Sequence, residues 1–256
     1  MEIKEILNLI TDAERDASHF ICQAHGIIAE RKTDARNVVT EYDKKVQESI
    51  VNKIREVIPD AHFFCEENDK QDTLDAEHVF IIDPIDGTMG FVHGFHHSCI
   101  SVAYMSKRKI LAGAIYNPYF DEMFTACDGM GAYLNGRRIH VDDCGLEGSL
   151  CCVGTSPYYP ELQDKSFAII RKLFDNSLDI RREGSAALDM CTISAGRAGF
   201  YFELLLSFWD FAAGYIIVKE AGGVVLTPEG NDVPLDGTKS GIIAGGEKAV
   251  KEFLKL

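Results

Sequence analysis

Val79-Phe80-Ile81-Ile82-Asp83-Pro84-Ile85-Asp86-Gly87-Thr88 decides how this chain is read. Four apolar β-formers in succession predict a fully buried strand, and the Pro and Gly that follow end it. Asp83 and Asp86, three residues apart and stiffened by Pro84, therefore leave the end of one rigid strand together. Two carboxylates held near apolar surface lose hydration and repel each other. A multivalent cation resolves that conflict. Hard oxygen ligands on a rigid element suit Mg²⁺, which takes a few carboxylates, keeps several waters and shares itself with a substrate phosphate.

The surrounding composition fits a globular enzyme with a sizeable core: 256 residues, 46% of them hydrophobic. A formal charge of −14 disfavours nucleic acid or an anionic membrane as a surface-bound partner, since phosphate-rich surfaces are held by clustered Lys and Arg. Eight cysteines are scattered with no Cys-x-x-Cys spacing, which reads as reduced core residues of a cytoplasmic protein. The first residues carry Glu2, Lys4 and Glu5 within an amphipathic pattern, unlike a signal or transit peptide. The most apolar stretch, Leu204 to Val218, is interrupted by Asp210 and is too short to span a bilayer.

Outward from the central strand, apolar residues from Ile3 to Ile28 recur at helical spacing and predict one long helix ending near Arg31-Lys32. Lys32 to Asn37 has no periodicity and reads as an exposed loop. A second helix is expected from about Lys44 to Ile58, closed by Pro59, with Asp43 just before it as an N-cap candidate. Ala61 to Cys65 reads as a short strand delivering Glu66-Glu67, of which only one can face a given site because neighbours on a strand point opposite ways. The His93, His96 and His97 segment lacks helical zinc spacing and reads as packing turn.

Strands near Cys99 to Met105, Ile110 to Tyr116 and Glu122 to Cys127 follow, then a type I′ turn at Asn135-Gly136. Beyond about Cys151 come a strand through Val153, a helix from about Pro160 to Phe174, and a strand near Leu178 to Arg181. Glu183-Gly184-Ser185-Ala186-Ala187-Leu188 is a Gly-led turn entering a helix, where backbone can approach a ligand. A strand near Phe200 to Glu203 precedes Asp210, which stands at the expected start of a helix running to about Ala221.

Glu66-Glu67, Asp83-Pro84-Ile85-Asp86-Gly87-Thr88 and Trp209-Asp210-Phe211-Ala212-Ala213-Gly214 together resemble the three signatures of the inositol monophosphatase family of Mg²⁺-dependent, lithium-sensitive phosphatases. The resemblance extends over Val39 to Asp43, Gly184 to Ala187 and Glu220 to Val224, and so covers nearly the whole chain. Met89-Gly90 and Asn37 depart from the family's usual residues, but neither removes a metal ligand. The resemblance implies an α/β layered fold, an αβαβα sandwich in two intimate halves: residues 1–146 forming a metal-binding half and 147–256 completing the active site. It also implies a homodimer.

It further implies roles. Glu66, Asp83 and the carbonyl of Ile85 resemble ligands of a first Mg²⁺, and Asp83, Asp86 and Asp210 those of a second, with a weaker third near Glu66. Asp43 and Thr88 resemble the pair that orients and deprotonates the attacking water, and Glu66 joins them as a catalytic residue. Gly87 and Thr88 would offer amides to the phosphate, while Gly184, Ser185, Ala186, Glu203 and Asp210 resemble substrate-contacting positions. The implied activity is phosphomonoester hydrolysis of inositol monophosphate or a similar polyol phosphate by metal-activated water. Fructose-1,6-bisphosphatase and 3′-phosphoadenosine or NADP phosphatase are the nearest alternatives, and a catalytically silent regulatory relative is the non-enzymatic one. A second substrate phosphate would need a cationic subsite, for which Arg181, Arg182, Lys165 and Arg171 are the candidates.

Overall fold

The computed structural model describes residues 1–31 and 38–256. The expected loop from Lys32 to Asn37 lies outside the described residues. Helix α1 (Ile3–Cys22) leads into β1 (Ala29–Arg31), β2 (Val38–Thr40) and α2 (Glu41–Val57). A seven-stranded sheet is then built from β3 (His62–Cys65), β4 (Val79–Asp86), β5 (Cys99–Ser106), β6 (Lys109–Asn117), β7 (Glu122–Cys127), β8 (Gly131–Leu134) and β9 (Arg137–Ile139), with the one-turn helix α3 (Thr88–Val92) after β4. A five-stranded sheet follows from β10 (Leu150–Val153), β11 (Asp179–Arg181), β12 (Phe200–Leu206), β13 (Val224–Leu226) and β14 (Ser240–Gly245), in the order β11-β10-β12-β14-β13. Between and after these strands run α4 (Gln163–Asp175), α5 (Ala186–Ser194), α6 (Phe208–Glu220) and α7 (Glu247–Phe253).

Strand alternation sorts these elements into layers. Along β4, Phe80 and Ile82 join a core with Ile6, Ile10, Ile50 and Ile54 of α1 and α2, while Val79 and Ile81 face Ala187, Met190, Phe211 and Ile217 of α5 and α6. Along β12, Phe200 and Phe202 face Leu173, Val250 and Phe253 of α4 and α7, while Tyr201 faces the middle helices. Period-two side chains thus place helices on both faces of both sheets, giving an αβαβα sandwich. Burying each large aliphatic contributes about 1.5–3 kcal/mol. The middle helices are apolar nearly all round because they are covered twice: α6 buries Phe208, Phe211, Ala212, Ala213, Gly214, Ile216, Ile217 and Val218.

Several boundaries differ from the sequence expectation. Helix α1 stops at Cys22 rather than near Arg31, since Gly26 at φ 60° turns the chain and β1 pairs antiparallel with β2, Ala29 opposite Thr40. Helix α2 begins three residues before Lys44, at Glu41, because Thr40 and not Asp43 is the N-cap. Likewise α6 begins at Phe208 with Ser207 as N-cap, so Asp210 stands in its first turn rather than before it. Pro160 to Leu162 is a 3₁₀ turn preceding α4. The Asn135-Gly136 turn stands as expected, both residues at positive φ (48° and 74°). All eight cysteines are free, but Cys22 and Cys144 are exposed rather than core. Among the described residues, no helix is long and apolar enough to cross a membrane.

Candidate active site

Strands β3 and β4 are parallel, with Cys65 opposite Ile82, so their C-terminal ends present Glu66 and Asp83 on the same side of the sheet. The Glu66 N–H donates to Ile82 O at 3.1 Å, which continues the ladder by one step. Opposite β5, the register of β4 slips between Asp83 and Asp86, where Pro84 removes a donor. That irregularity lets both aspartates reach one site, at 2% and 9% exposure. Ile85 N donates to Asp83 Oδ1 at 3.1 Å. Asp86 Oδ2 accepts from Ser185 Oγ at 2.6 Å and Ala187 N at 2.7 Å, which locks it to the first turn of α5. Gly87, at φ 87°, makes the junction possible: a Cβ there would stand 2.9 Å from His97 O and 3.2 Å from Ser185 Cβ. Asp210 arrives from α6, its Oδ2 accepting Ser207 N at 2.7 Å.

Burial raises Asp83 well above the ordinary carboxylate range, and the charges of Glu66, Asp86 and Asp210 raise it further. Burial likewise raises Asp210, with Asp86 and Glu66 adding to it. Asp86 reaches only about 6, because hydrogen bonds from Ser185 and Ala187 oppose its burial. Four carboxylates from three elements therefore repel across one cavity, and neutralisation by a cation relieves all of them together. The donor set is all oxygen and held on rigid elements, which fits Mg²⁺. Glu66, Asp83, Asp86 and Asp210 all line the cavity with Ile85. Glu67 is not part of the lining; its N–H donates to Gln47 Oε1 at 3.1 Å.

Asp43 and Thr88 meet behind this floor. Thr88 Oγ1 donates to Ile85 O at 3.0 Å and lies 3.5 Å from Asp43 Oδ1, the limit of a hydrogen bond. Asp43 is held by a capping box: its Oδ2 accepts Thr40 N at 2.7 Å and Thr40 Oγ1 at 2.6 Å. Burial pushes it up to about 7; Thr40's hydrogen bonds lower it, and Glu66 and Glu67 raise it. Asp43 and Asp210 thus share a device. Each is the third residue of a helix whose N-cap hydroxyl residue it holds, leaving the other carboxylate oxygen available to the site.

The opposite wall is the Gly184-Ser185-Ala186 turn and Glu203, all lining the same cavity of about 460 Å³, as do Gly87 and Thr88. Gly184 has φ 97°, and Ser185 caps α5 by accepting Leu188 N at 3.2 Å. Glu203 is 8% exposed, so it is not a surface carboxylate at a strand end. Its Oε1 accepts Ser156 N at 2.7 Å and Ser156 Oγ at 3.3 Å, and its Oε2 accepts Tyr201 OH at 2.9 Å. Gly154 yields the necessary space, since a Cβ there would fall 1.9 Å from Glu203 Oε2.

Of the four cations considered for a second phosphate, only Arg182 lines the cavity. Arg181 pairs with Asp179, Arg171 with Asp175 at 2.9 Å, and Lys165 lies 3.8 Å from Glu229, all exposed. Lys239 is a second cation in the lining, its Nζ 5.0 Å from the Tyr159 ring centre. Sequence reasoning missed Lys239, Ser156, Tyr158 and Asp189. Ser156-Pro157-Tyr158 is a legible turn, but nothing local sets it opposite a strand that begins 44 residues further on.

Known proteins are similar to this chain in sequence and in fold. Residues 2–255 match the inositol monophosphatase family. The chain is 36% identical over 254 residues to the Nus factor SuhB of Haemophilus influenzae, an alignment covering 97% of this chain and 94% of that protein. Its fold is similar to the crystal structure of the extragenic suppressor protein suhB from Bartonella henselae (TM-score 0.90, 33% identity, 98% and 97% of the two chains). It is similar also to the Thermotoga maritima IMPase (TM-score 0.89, 33% identity, 98% and 96%). With its three signatures gathered around one carboxylate-lined cavity, this chain belongs to the inositol monophosphatase family.

Proposed function

We propose that this protein is a Mg²⁺-dependent phosphomonoesterase acting on inositol monophosphate or a similar polyol phosphate. The observation that carries the reading is the set of Glu66, Asp83, Asp86 and Asp210 lining one cavity with Thr88, in front of Asp43. Glu66, Asp83 and the Ile85 carbonyl would hold one Mg²⁺, Asp83, Asp86 and Asp210 a second, and Glu66 a weaker third. When bound, Mg²⁺ supplies positive charge to the phosphoryl oxygens and the leaving oxygen and acidifies water.

The chain's own groups do the remaining work. Thr88 Oγ1 commits its proton to Ile85 O, so its lone pairs are free to accept from a water and fix its orientation. Asp43, at about 7, is matched to receive a proton near neutral pH through Thr88 once that hydroxyl turns its proton from Ile85 O to Asp43 Oδ1, 3.5 Å away. The amides of Gly87 and Thr88 at the start of α3 would hold phosphate oxygens. Glu203 and the Gly184–Ala186 turn would take the ring hydroxyls. A carboxylate has about four acceptor positions, and Glu203 already uses three on Ser156 and Tyr201. One remains for a substrate hydroxyl.

The test is phosphate release from inositol 1-phosphate, fructose 1,6-bisphosphate, 3′-phosphoadenosine 5′-phosphate and NADP⁺, each with Mg²⁺ and with chelator. Chelator-sensitive release that is fastest from inositol 1-phosphate is expected; faster release from one of the others moves the assignment within the family. The relatives named Nus factor SuhB favour a second reading, in which the chain serves as a Nus factor and the cavity is silent. Failure to release phosphate from any substrate with Mg²⁺ would select that reading.

A further inference from the structure

Beside the carboxylate floor stands a second group of metal-ligating side chains with a different composition. His97 follows α3, Glu183 precedes the Gly184 turn, and Asp189 lies in α5; one donor atom from each falls within 4.8 Å of the others. None belongs to the set assigned above. Helical zinc spacing is absent from the histidine segment, but these ligands come from three separate elements, so that spacing does not bear on them.

Two observations show that protein contacts leave this group unsatisfied. Asp189 is 2% exposed, yet its Oδ1 has no hydrogen-bond partner, a costly state for a buried carboxylate. His97 Nε2 is also buried and without a hydrogen bond. Glu183 Oε2 lies only 2.9 Å from it, an ion-pair distance if the imidazole is protonated but not a hydrogen bond. Two atoms that sit side by side without a hydrogen bond are compatible with a shared ion: ligands about 2.1 Å from one ion lie roughly 3.0–3.4 Å apart as the angle between them opens from a right angle to the tetrahedral one, and this pair stands at the close end. A neutral imidazole with two carboxylates carries two negative charges, which one divalent cation cancels. The imidazole selects the ion, since nitrogen ligands favour zinc-class transition ions over Mg²⁺.

We propose that His97, Glu183 and Asp189 form a binding site for one divalent transition-metal ion, distinct from the Mg²⁺ cluster and adjoining it. Its place in the fold gives it a purpose. Glu183 and Asp189 line the active-site cavity, and His97 and Glu183 line a second cavity on the other side, so the ion sits in the wall between the two. The backbone of His97 packs against Gly87, and α5 holds Asp86. An ion there clasps the segment after α3, the Gly184 turn and α5 together, and so rigidifies the substrate wall.

The test uses Co²⁺ as a spectroscopic probe on the full chain with Mg²⁺ in large excess. Wild type and Asp83→Asn should each bind one Co²⁺ with visible absorption bands, and His97→Gln should bind it at least about 100-fold more weakly, since removing a direct ligand costs no less than removing its support. Zn²⁺ should raise the Tm of wild type and leave that of His97→Gln unchanged. Retention of the bands in His97→Gln, their loss in Asp83→Asn, or their absence from wild type overturns the proposal. Glu183→Gln, altering a side chain that is 39% exposed, is the second variant should His97→Gln fail to fold.

Discussion

The floor and the far wall of the cavity both carry buried carboxylates, and they are stabilised in opposite ways. On the floor, the largest influences on Asp83 after burial are other carboxylates: Glu66, Asp86 and Asp210. At the wall, Glu203 is raised by burial but surrounded by donors, with Ser156 and Tyr201 pulling it back down. The floor is a ligand set that a cation from outside would complete, whereas Glu203 finds its partners within the chain and presents a nearly filled acceptor. On the proposed function, chemistry would belong to the first and discrimination among substrates to the second. Asp86 joins the two, as a member of the floor fastened by Ser185 and Ala187 of the wall side.

The largest effect should come from the floor. Asp86→Asn keeps the shape but removes charge from the cluster, and phosphate release should fall by about 100- to 1,000-fold, the scale of losing a key electrostatic group. Turnover close to wild type at saturating Mg²⁺ would erase the distinction between floor and wall. Next comes Thr88→Ala, which removes a hydroxyl but no charge. We expect kcat to drop by about 10- to 100-fold with Mg²⁺ affinity little changed; calorimetry showing weakened Mg²⁺ binding at unchanged kcat would move Thr88 from water orientation to metal support.

The wall should respond more weakly and selectively. Glu203→Gln turns one acceptor into a donor facing Ser156 or Tyr201, and kcat/KM for inositol phosphate should fall by about tenfold, equivalent to about 1.4 kcal/mol. An activated ester without ring hydroxyls, such as p-nitrophenyl phosphate, should be nearly unaffected. Equal losses on both substrates would assign Glu203 to the floor.

The smallest effect concerns stability alone and isolates burial from charge clustering. Glu14 of α1 is fully buried, neither oxygen has a hydrogen-bond partner, and burial raises it well above its ordinary value of 4.5. Its raised folded-state value means that its contribution to stability is intact below that ordinary value and declines as pH rises towards the folded one. Glu14→Gln removes the decline, and denaturant titrations at pH 5 and pH 8 should differ less for the variant than for wild type, by about 1–3 kcal/mol. An unchanged difference would mean that ionised Glu14 is stabilised within the fold.

The sequence by itself determined the central strand and the two aspartates at its end, because an apolar run, a Pro and a Gly act within a few residues. The layered architecture came from the family resemblance, and the side-chain periods, which separate strands from helices wherever one face is buried, agreed with it. Helix starts were less legible. Thr40-x-x-Asp43 and Ser207-x-x-Asp210 are the same capping pattern, and in each the backbone places the aspartate in the first turn with the hydroxyl residue as the cap. Only the tertiary structure decided which groups meet: Thr88 with Asp43 across 45 residues, Asp86 with Ser185 across 99, and Glu203 with Ser156 across 47. It alone separated Arg182, in the cavity, from Arg181, which pairs with Asp179 on an edge strand. The physical reason is that a motif specifies a local backbone and a donor type, whereas the charge and burial around that donor are set by residues brought in from other layers.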